Sequence, residues 1–583
     1  MYLNSLDWAV LAVYGIATVS LGLAFARRAS EGTGQFFLAG RHLPWWILGT
    51  SMVATTFSTD TPNLVTDLVR NNGVSGNWMW WAFVITGMCT TFFYARLWRR
   101  SGVFTDIGFY ELRYSGRPAI FLRAFRAIYL GVFFNVAIMA AVMLAGIKIA
   151  GVLLGIEPYA TVLVVAIVTA AYSASSGLRG VVVTDVLLFI TAMVGAVAAA
   201  WYALDHPSVG GLEGLVSHPN VAERLSFLPS FANWETVVAV FLIPLAVQWW
   251  STWYPGAEPG GGGYVAQRLL AARNERHAVV AMLWFNVAHY AVRPWPWILV
   301  ALASLIVYPT LDSMAEAFPH LDPSLVRHDL AYPAMLVFLP HGLLGLVVAS
   351  LAAALMSTLS THLNWGASYV VDDVYRRFLA PKQSEAHYIL VARLSTVGLV
   401  ALAAVVALWL ENALQAFQIL LQIGAGTGLI FLLRWFWWRI NAWSEIAAMV
   451  VSFSIAIWFQ FVHEAVGFQL PSAVVQLLWG VGITTAAWFV VTLSTRPTDT
   501  AVLQAFYSRV RPYARGWRRS VRTEADSPGS VTSALVAWML GCALVYTVLF
   551  GTGFALYGDM FQATVCAVAA FFVGTALFRV MRR

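Results

Sequence analysis

Apolar residues in this chain fall in long blocks of roughly 20, the length that carries a helix across a bilayer. About 15 blocks start near residues 7, 44, 76, 120, 158, 180, 236, 276, 338, 388, 413, 443, 473, 531 and 554. No stretch between them is long enough for a soluble domain. The first block, "LDWAVLAVYGIATVSLGLAFARR", lacks a basic leader and a small-residue cleavage site, so it reads as a retained span. The pattern predicts an all-α polytopic membrane protein.

Two blocks are interrupted. The second contains "SMVATTFSTDTPNLVTD", rich in hydroxyls and carrying a proline and two aspartates. The seventh, which begins "VVAVFLIPLAVQWW", runs into "WYPGAEPGGGGYVAQR". Pro255 and Pro259 stop a helix there, and Gly260 to Gly263 let the unwound chain turn. A broken backbone is tolerated inside a bilayer only where it lines a polar cavity. Five spans separate the breaks, so the two broken spans run in opposite directions. They are expected to occupy corresponding places in a five-plus-five inverted repeat and to meet near the midplane. The expected organisation is an N-terminal span and loop (1–43), a transport core (44–435) and accessory spans (436–583), with a basic loop at 494–530.

Composition agrees: 60% of residues are hydrophobic and 11% charged, against roughly a quarter charged in soluble domains. The net charge of +7 does not indicate nucleic acid, because the basic residues lie in alternate loops. With the N-terminus outside, "ARRAS", "RLWRR", "SGLRG", "QRLLAARNERH", "YRRFLAPK", "WWRIN", the Arg496–Arg522 stretch and the tail "RVMRR" are cytoplasmic. The long outer loops, about 205–232 and 309–337, carry only Arg224 and Arg327. This is the positive-inside pattern of a multi-pass inner or plasma membrane protein with a cytoplasmic C-terminus. Cys89, Cys542 and Cys566 lie in apolar blocks and read as buried hydrophobes. Many of the 26 tryptophans sit near span ends, where indoles favour the interface.

Candidate chemistry is confined to the spans. The ninth reads "SLAAALMSTLSTHLNWGAS", crowding Ser357, Thr358, Ser360 and Thr361 into about one turn. Hydroxyls and freed carbonyls suit a sodium ion; the alternative is that they bond back to their own helix or join helices. Asp60, Asp185, Glu258 and Arg293 lie within apolar blocks, where a charge is costly and therefore a functional candidate. An ion pair such as Glu258 with Arg293 is the structural alternative, and Asp185 is close enough to its span end to be a solvated terminal residue. His362 reads as a core histidine. "HYAVRPWPW" places a second proline break in the eighth span, beside His289. Gln422, in the eleventh span, is a further candidate for the solute site. No metalloprotease helix, nucleophile elbow or phosphate-cradling loop is present, and no enzyme is expected.

"GTSMVATTFS", "GLRGVVVTD", "YVAQRLLAAR", "LMSTLSTHLN" followed by "DDVYRR", and "FLLRWFWWRIN" together resemble the sodium/solute symporter family, over roughly residues 1 to 495. That family includes sodium/glucose, sodium/proline and sialic acid transporters. The resemblance implies a LeuT-type fold, with one helix before the repeat and about four after it. It implies a first sodium site at Ala54, Phe57 and Ala354 (carbonyls) and Ser357 and Thr358 (hydroxyls). In some members a second sodium is held by the equivalents of Asp185, Ser357, Ser360 and Thr361. The solute positions depart from the sugar-transporting pattern. Glu258 stands where those relatives carry a gate tyrosine, Thr56 where they have an asparagine and Thr61 where they have a histidine. His289 falls near a sugar-contacting lysine. Asp60 and Arg293 complete the candidate solute set.

The resulting expectation is a sodium-coupled symporter, with one or two coupling ions, that imports a small polar organic solute by alternating access. A sugar or polyol is favoured slightly over an amino acid of the proline type or an organic cation. A channel or a transporter-like sensor is the different-class alternative. Solute and lipid bilayer are the expected partners, with no nucleic acid, and the chain is expected to be a monomer or weak oligomer.

Overall fold

The computed structural model describes residues 3–56, 58–251, 258–319, 326–409, 424–522 and 530–582. Among these residues the protein is helical, with a single isolated bridge between Leu43 and Ala272. Eleven described helices are long and apolar enough to cross a membrane. They include the first span (Ser5–Gly22), the fourth (Gly116–Leu154), the eighth (Glu275–Val307) and the ninth (Leu343–Leu379). The fifth and sixth spans form one element, Pro158–Asp205, turned at Gly177 where φ is +57°.

Both interrupted blocks are broken where the sequence marks them, and the first part of the seventh is still long enough to count among the eleven. The second span consists of Trp45–Thr55 and Asp60–Asn72. The seventh consists of Trp234–Ser251 and Gly263–Ala271. Between the halves of the seventh, Gly260 and Gly261 take φ of +85° and +90°. A Cβ on Gly261 would stand 3.0 Å from Trp98 Nε1, so both conformation and close approach require glycine there.

Loops that the charge pattern assigns to one side meet one another. On the basic face, Arg41 donates to the carbonyls of Gly102 and Val103, Arg99 to Ala272, and Arg100 pairs with Glu275 at 2.7 Å. Arg113 reaches the carbonyls of Arg434 and Trp437, and Arg439 reaches Thr495. On the opposite face, Arg70 donates to Ser304 and Tyr308, and Arg224 donates to the Arg70 carbonyl.

The fourteenth span, Val531–Leu556, packs tightly on the third and eighth. Trp538 Nε1 donates to the Ile85 carbonyl at 2.9 Å, Tyr546 to Trp81 at 3.0 Å, and Trp295 to Leu549 at 3.0 Å. A Cβ on Gly553 would overlap the Trp295 ring at 2.2 Å, so glycine sets the closeness of that contact. The fifteenth span, Met560–Arg582, packs mainly on the fourteenth and is largely uncovered by the rest of the protein.

Asp7 joins the first span to the start of the ninth. Its carboxylate accepts from the backbone N–H of Gly342 (2.6 Å) and Gly345 (2.8 Å) and lies 2.9 Å from His341 Nδ1. These are amides at a helix start that has no intrahelical partners. Asp7→Ala leaves them without an acceptor and should cost about 1–3 kcal/mol. A thermal midpoint in detergent equal to that of the wild type would contradict this.

Candidate ion and solute site

The second and ninth spans meet at their hydroxyls. Thr358 Oγ1 donates to the Thr55 carbonyl at 3.0 Å, and Thr55 Oγ1 lies 3.0 Å from Thr361 Oγ1. Ala54, Ala354, Ser357 and Thr358 are all buried at this junction. Of the first-ion set, Phe57 lies outside the described residues. The rest sit on the two segments that these bonds tie together, and the carbonyl of Thr55 is already turned to a hydroxyl.

Asp185 is fully buried, which removes the solvated-terminus alternative. It accepts from Ser51 Oγ at 2.5 Å and from Ser357 Oγ at 2.7 Å, drawing the sixth, second and ninth spans together. Arg268, in the inner half of the broken seventh span, faces the same group. Its Nη2 lies 3.8 Å from Asp185 Oδ2 and donates to Thr361 Oγ1 at 2.7 Å. A guanidinium therefore stands among Asp185, Ser51 and Thr361. Ser360 turns away, donating to the Ser357 carbonyl of its own helix at 2.9 Å. Asp185, Ser357 and Thr361 of the second-ion set are thus brought together, and Ser360 is not. His362 is a core histidine, with Nδ1 2.6 Å from Asn135 Oδ1.

The solute candidates divide into two groups. Thr56, His289 and Arg293 form one. Thr56 Oγ1 lies 3.3 Å from His289 Nδ1, and Arg293 donates to the carbonyls of Val53 (2.9 Å) and Thr56 (3.3 Å). Arg293 can reach them because the eighth span widens to a π turn at Ala288–Val292 just before Pro294. Asp60 is exposed at the start of the outer half-helix, and Thr61 Oγ1 accepts weakly from the Ser58 N–H at 3.4 Å. Gln422 lies outside the described residues.

Glu258 forms the other group, and it is ion-paired, though not with Arg293 as the structural alternative had it. Its carboxylate contacts Arg126 of the fourth span and lies 3.5 Å from Arg434 of the eleventh; Arg293 is engaged with the second span instead. Arg434 also lies 3.4 Å from Glu445, which accepts from the Tyr114 hydroxyl at 2.5 Å. Glu258 and Glu445 are thus joined through Arg434 in a buried cluster that Arg126 completes. It lies between the seventh-span break and the basic face, over which Arg434 stacks on the Phe109 ring at 4.6 Å. Arg126 carried the same signal as Arg293, a cation inside an apolar block, and was the recoverable omission.

Beside Glu258 is a cavity of about 20 Å³ lined by Phe83, Thr86 and Thr90 of the third span and Phe285 and Tyr290 of the eighth. That is room for about one water. The His289 ring packs against both Phe285 (5.2 Å) and Tyr290 (4.4 Å), so the two groups of solute candidates flank one aromatic partition. Thr86 and Thr90 were not singled out by sequence; their hydroxyls are unremarkable until the break is placed against the third span.

The sequence pattern of the sodium:solute symporter family matches residues 36–452. The chain belongs to that family. The symporter is 26% identical to a sodium/glucose cotransporter of Vibrio parahaemolyticus, over 80% of this chain and 87% of the relative. It is 26% identical to sodium/myo-inositol cotransporter 2 of Oryctolagus cuniculus, over 77% and 69% respectively. A sodium/mannose cotransporter of Bos taurus is 25% identical over 82% and 83%. Among solved structures, a substrate-bound outward-open Na+-coupled sialic acid symporter superposes with a TM-score of 0.68, covering 85% of this chain and 99% of that one at 20% identity. The fold is of the LeuT type, and the protein is a transporter rather than an enzyme.

Arg268 and Asp185 have no exposed surface. Asp185→Asn leaves the guanidinium uncompensated and should destabilise the symporter by about 3–5 kcal/mol. Asp185→Asn with Arg268→Gln should recover most of that loss in a double-mutant cycle. Additive single-site losses would show that the two do not act as a pair.

Proposed function

We propose that this symporter couples inward sodium flow to uptake of a small, neutral, polyhydroxylated solute, a sugar or polyol. The observation that carries the choice of solute is the ion pairing of Glu258. A solute cation paired with Glu258 would need that carboxylate uncompensated, whereas it is held by Arg126 and Arg434. What remains at the cavity is a set of hydroxyls, Thr86, Thr90 and Tyr290, and the rings of Phe83 and Phe285. Hydroxyls exchange hydrogen bonds with a polyol, and aromatic faces cover its C–H surfaces. The glucose, mannose and inositol names of the relatives agree with this reading. Thr56, Asp60, Thr61, His289, Arg293 and Gln422 are the further candidates for solute contact. The cavity must widen to admit a solute, and separation of Glu258 from Arg434 is one way to open it toward the basic face.

Sodium at Ala54, Phe57, Ala354, Ser357 and Thr358 would hold the second and ninth spans together and favour one state of the alternating cycle. Coupling requires only that the ion bind one state better than the other. A membrane potential of 100 mV adds about 2.3 kcal/mol per charge moved inward. The basic face is cytoplasmic in this reading. We assign one coupling ion, because Arg268 already places a positive charge beside Asp185 and Thr361.

A thermal-shift screen of the purified symporter against sugars, polyols, amino acids and organic cations, with and without sodium, tests the solute class. Sodium-dependent stabilisation by polyhydroxylated compounds is expected, and stabilisation by cations or proline alone overturns the reading. Ser357→Ala with Thr358→Ala should weaken apparent sodium affinity at least tenfold, a loss of about 1.4 kcal/mol or more. Unchanged sodium dependence would move the ion elsewhere. In proteoliposomes the ratio of sodium to solute should be one; a ratio of two would restore the Asp185 set as an ion site.

A further inference from the structure

On the basic face, a crevice of about 430 Å³ opens between the third span, the fourteenth span and the arginine-rich loop. Its walls are aromatic. Phe93 lies 6.0 Å from Tyr513, 6.1 Å from Trp538 and 6.4 Å from Phe436. The polar edges of two wall residues are turned into the protein: Trp538 Nε1 donates to the Ile85 carbonyl and the Tyr94 hydroxyl to the Leu432 carbonyl. The crevice therefore presents carbon. It runs from Val531, the first residue of the fourteenth span, to Trp538. Seven residues of helix at 1.5 Å each make that about 10 Å of depth.

The mouth has the opposite character. Arg515 lines it and is exposed. Arg96 is exposed one turn beyond Phe93, and its charge, with that of Arg100, reaches the Tyr513 hydroxyl. Arg100 is paired with Glu275, but among the described residues no acidic side chain forms an ion pair with Arg96 or Arg515. The stretch 496–522 holds seven arginines and one acid, Asp499. An apolar slot about 10 Å deep with exposed Arg515 at its mouth and exposed Arg96 one turn beyond Phe93 matches one kind of ligand at a membrane surface: an acyl chain joined to a phosphate.

We propose that this crevice is a binding site for an anionic phospholipid of the leaflet on the basic face. The upper part of one acyl chain lies among Phe93, Phe436, Tyr513 and Trp538, and the phosphate lies between Arg96 and Arg515. Basic pockets between spans at the cytoplasmic surface bind acidic head groups by this combination of charge and buried chain. The occupant adds a bridge between the transport core and the fourteenth span beside the contacts of Trp538 with the third span.

Native mass spectrometry of the purified full chain, titrated separately with phosphatidylglycerol and phosphatidylcholine, tests the proposal. The first phosphatidylglycerol is expected to bind at least tenfold more tightly than the first phosphatidylcholine. Arg96→Gln with Arg515→Gln should reduce that preference to less than twofold. Both side chains are exposed, so this variant should keep the wild-type thermal midpoint in phosphatidylcholine. Arg518→Gln with Arg519→Gln removes the same charge from exposed positions that do not line the crevice, and should keep the preference. Three results would overturn the proposal: no preference in the wild type, retention of it in the Arg96/Arg515 variant, or equal loss in both double variants, which would mean diffuse attraction to a basic surface.

Discussion

Everything in this protein follows from the need to satisfy a broken backbone in a medium without water. Each break exposes N–H and C=O groups that a continuous helix would have paired, and each is met by a side chain from a distant part of the chain. Arg293 takes up the carbonyls of Val53 and Thr56, and Thr358 that of Thr55. Trp98 donates to Gly260 at 2.9 Å, and Asp106 accepts from the Gly263 N–H at 2.7 Å. The residues that stabilise the breaks are therefore those that bring the third, eighth and ninth spans and the loop at 105–113 to them. Fold and site share one set of contacts.

The buried charges obey the same economy. Single ions in an apolar core are expensive, and each carboxylate here is surrounded by donors: Asp185 by two hydroxyls and Arg268, Glu258 by Arg126 and Arg434, and Asp373 by Thr105 and Arg123. Two of these groups, those of Glu258 and Asp373, join span ends and loops on the side of the basic face. They link the inner half of the seventh span, the loop at 105–113 and the end of the ninth span into one connected layer. Paired charges can part when water enters between them. Apolar packing of the same area offers no such exchange of partners.

Much of this was legible in order along the chain. Block length and loop charge revealed the spans and which loops share a face, because both are local consequences of bilayer thickness and of the cost of moving arginine across it. The two breaks were legible because proline, glycine and clustered hydroxyls act on their own backbone. The junction of the second and ninth spans was implied by the family resemblance, and the hydroxyl cluster marks the ninth span's side of it. Partners were less legible: the alternative of an ion pair between Glu258 and Arg293 gives way to contacts with Arg126 and Arg434, and the cation beside Asp185 in the structure is Arg268. Thr86 and Thr90 were passed over altogether.

The division has a physical cause. The sequence by itself determined which segments cross the membrane, which two are interrupted and which charges lie inside, since each depends on residues within about 20 positions of one another. Only the tertiary structure decided which charge meets which. Glu258 is 132 positions from Arg126, 176 from Arg434 and only 35 from Arg293. In an apolar core the choice among cations rests on a few ångströms of side-chain reach and on which span the packing brings nearest. The eighth span carries Arg293 to the carbonyls of the second, and the fourth and eleventh spans close over the seventh. That arrangement is a property of the assembled bundle, and no single stretch of the chain contains it.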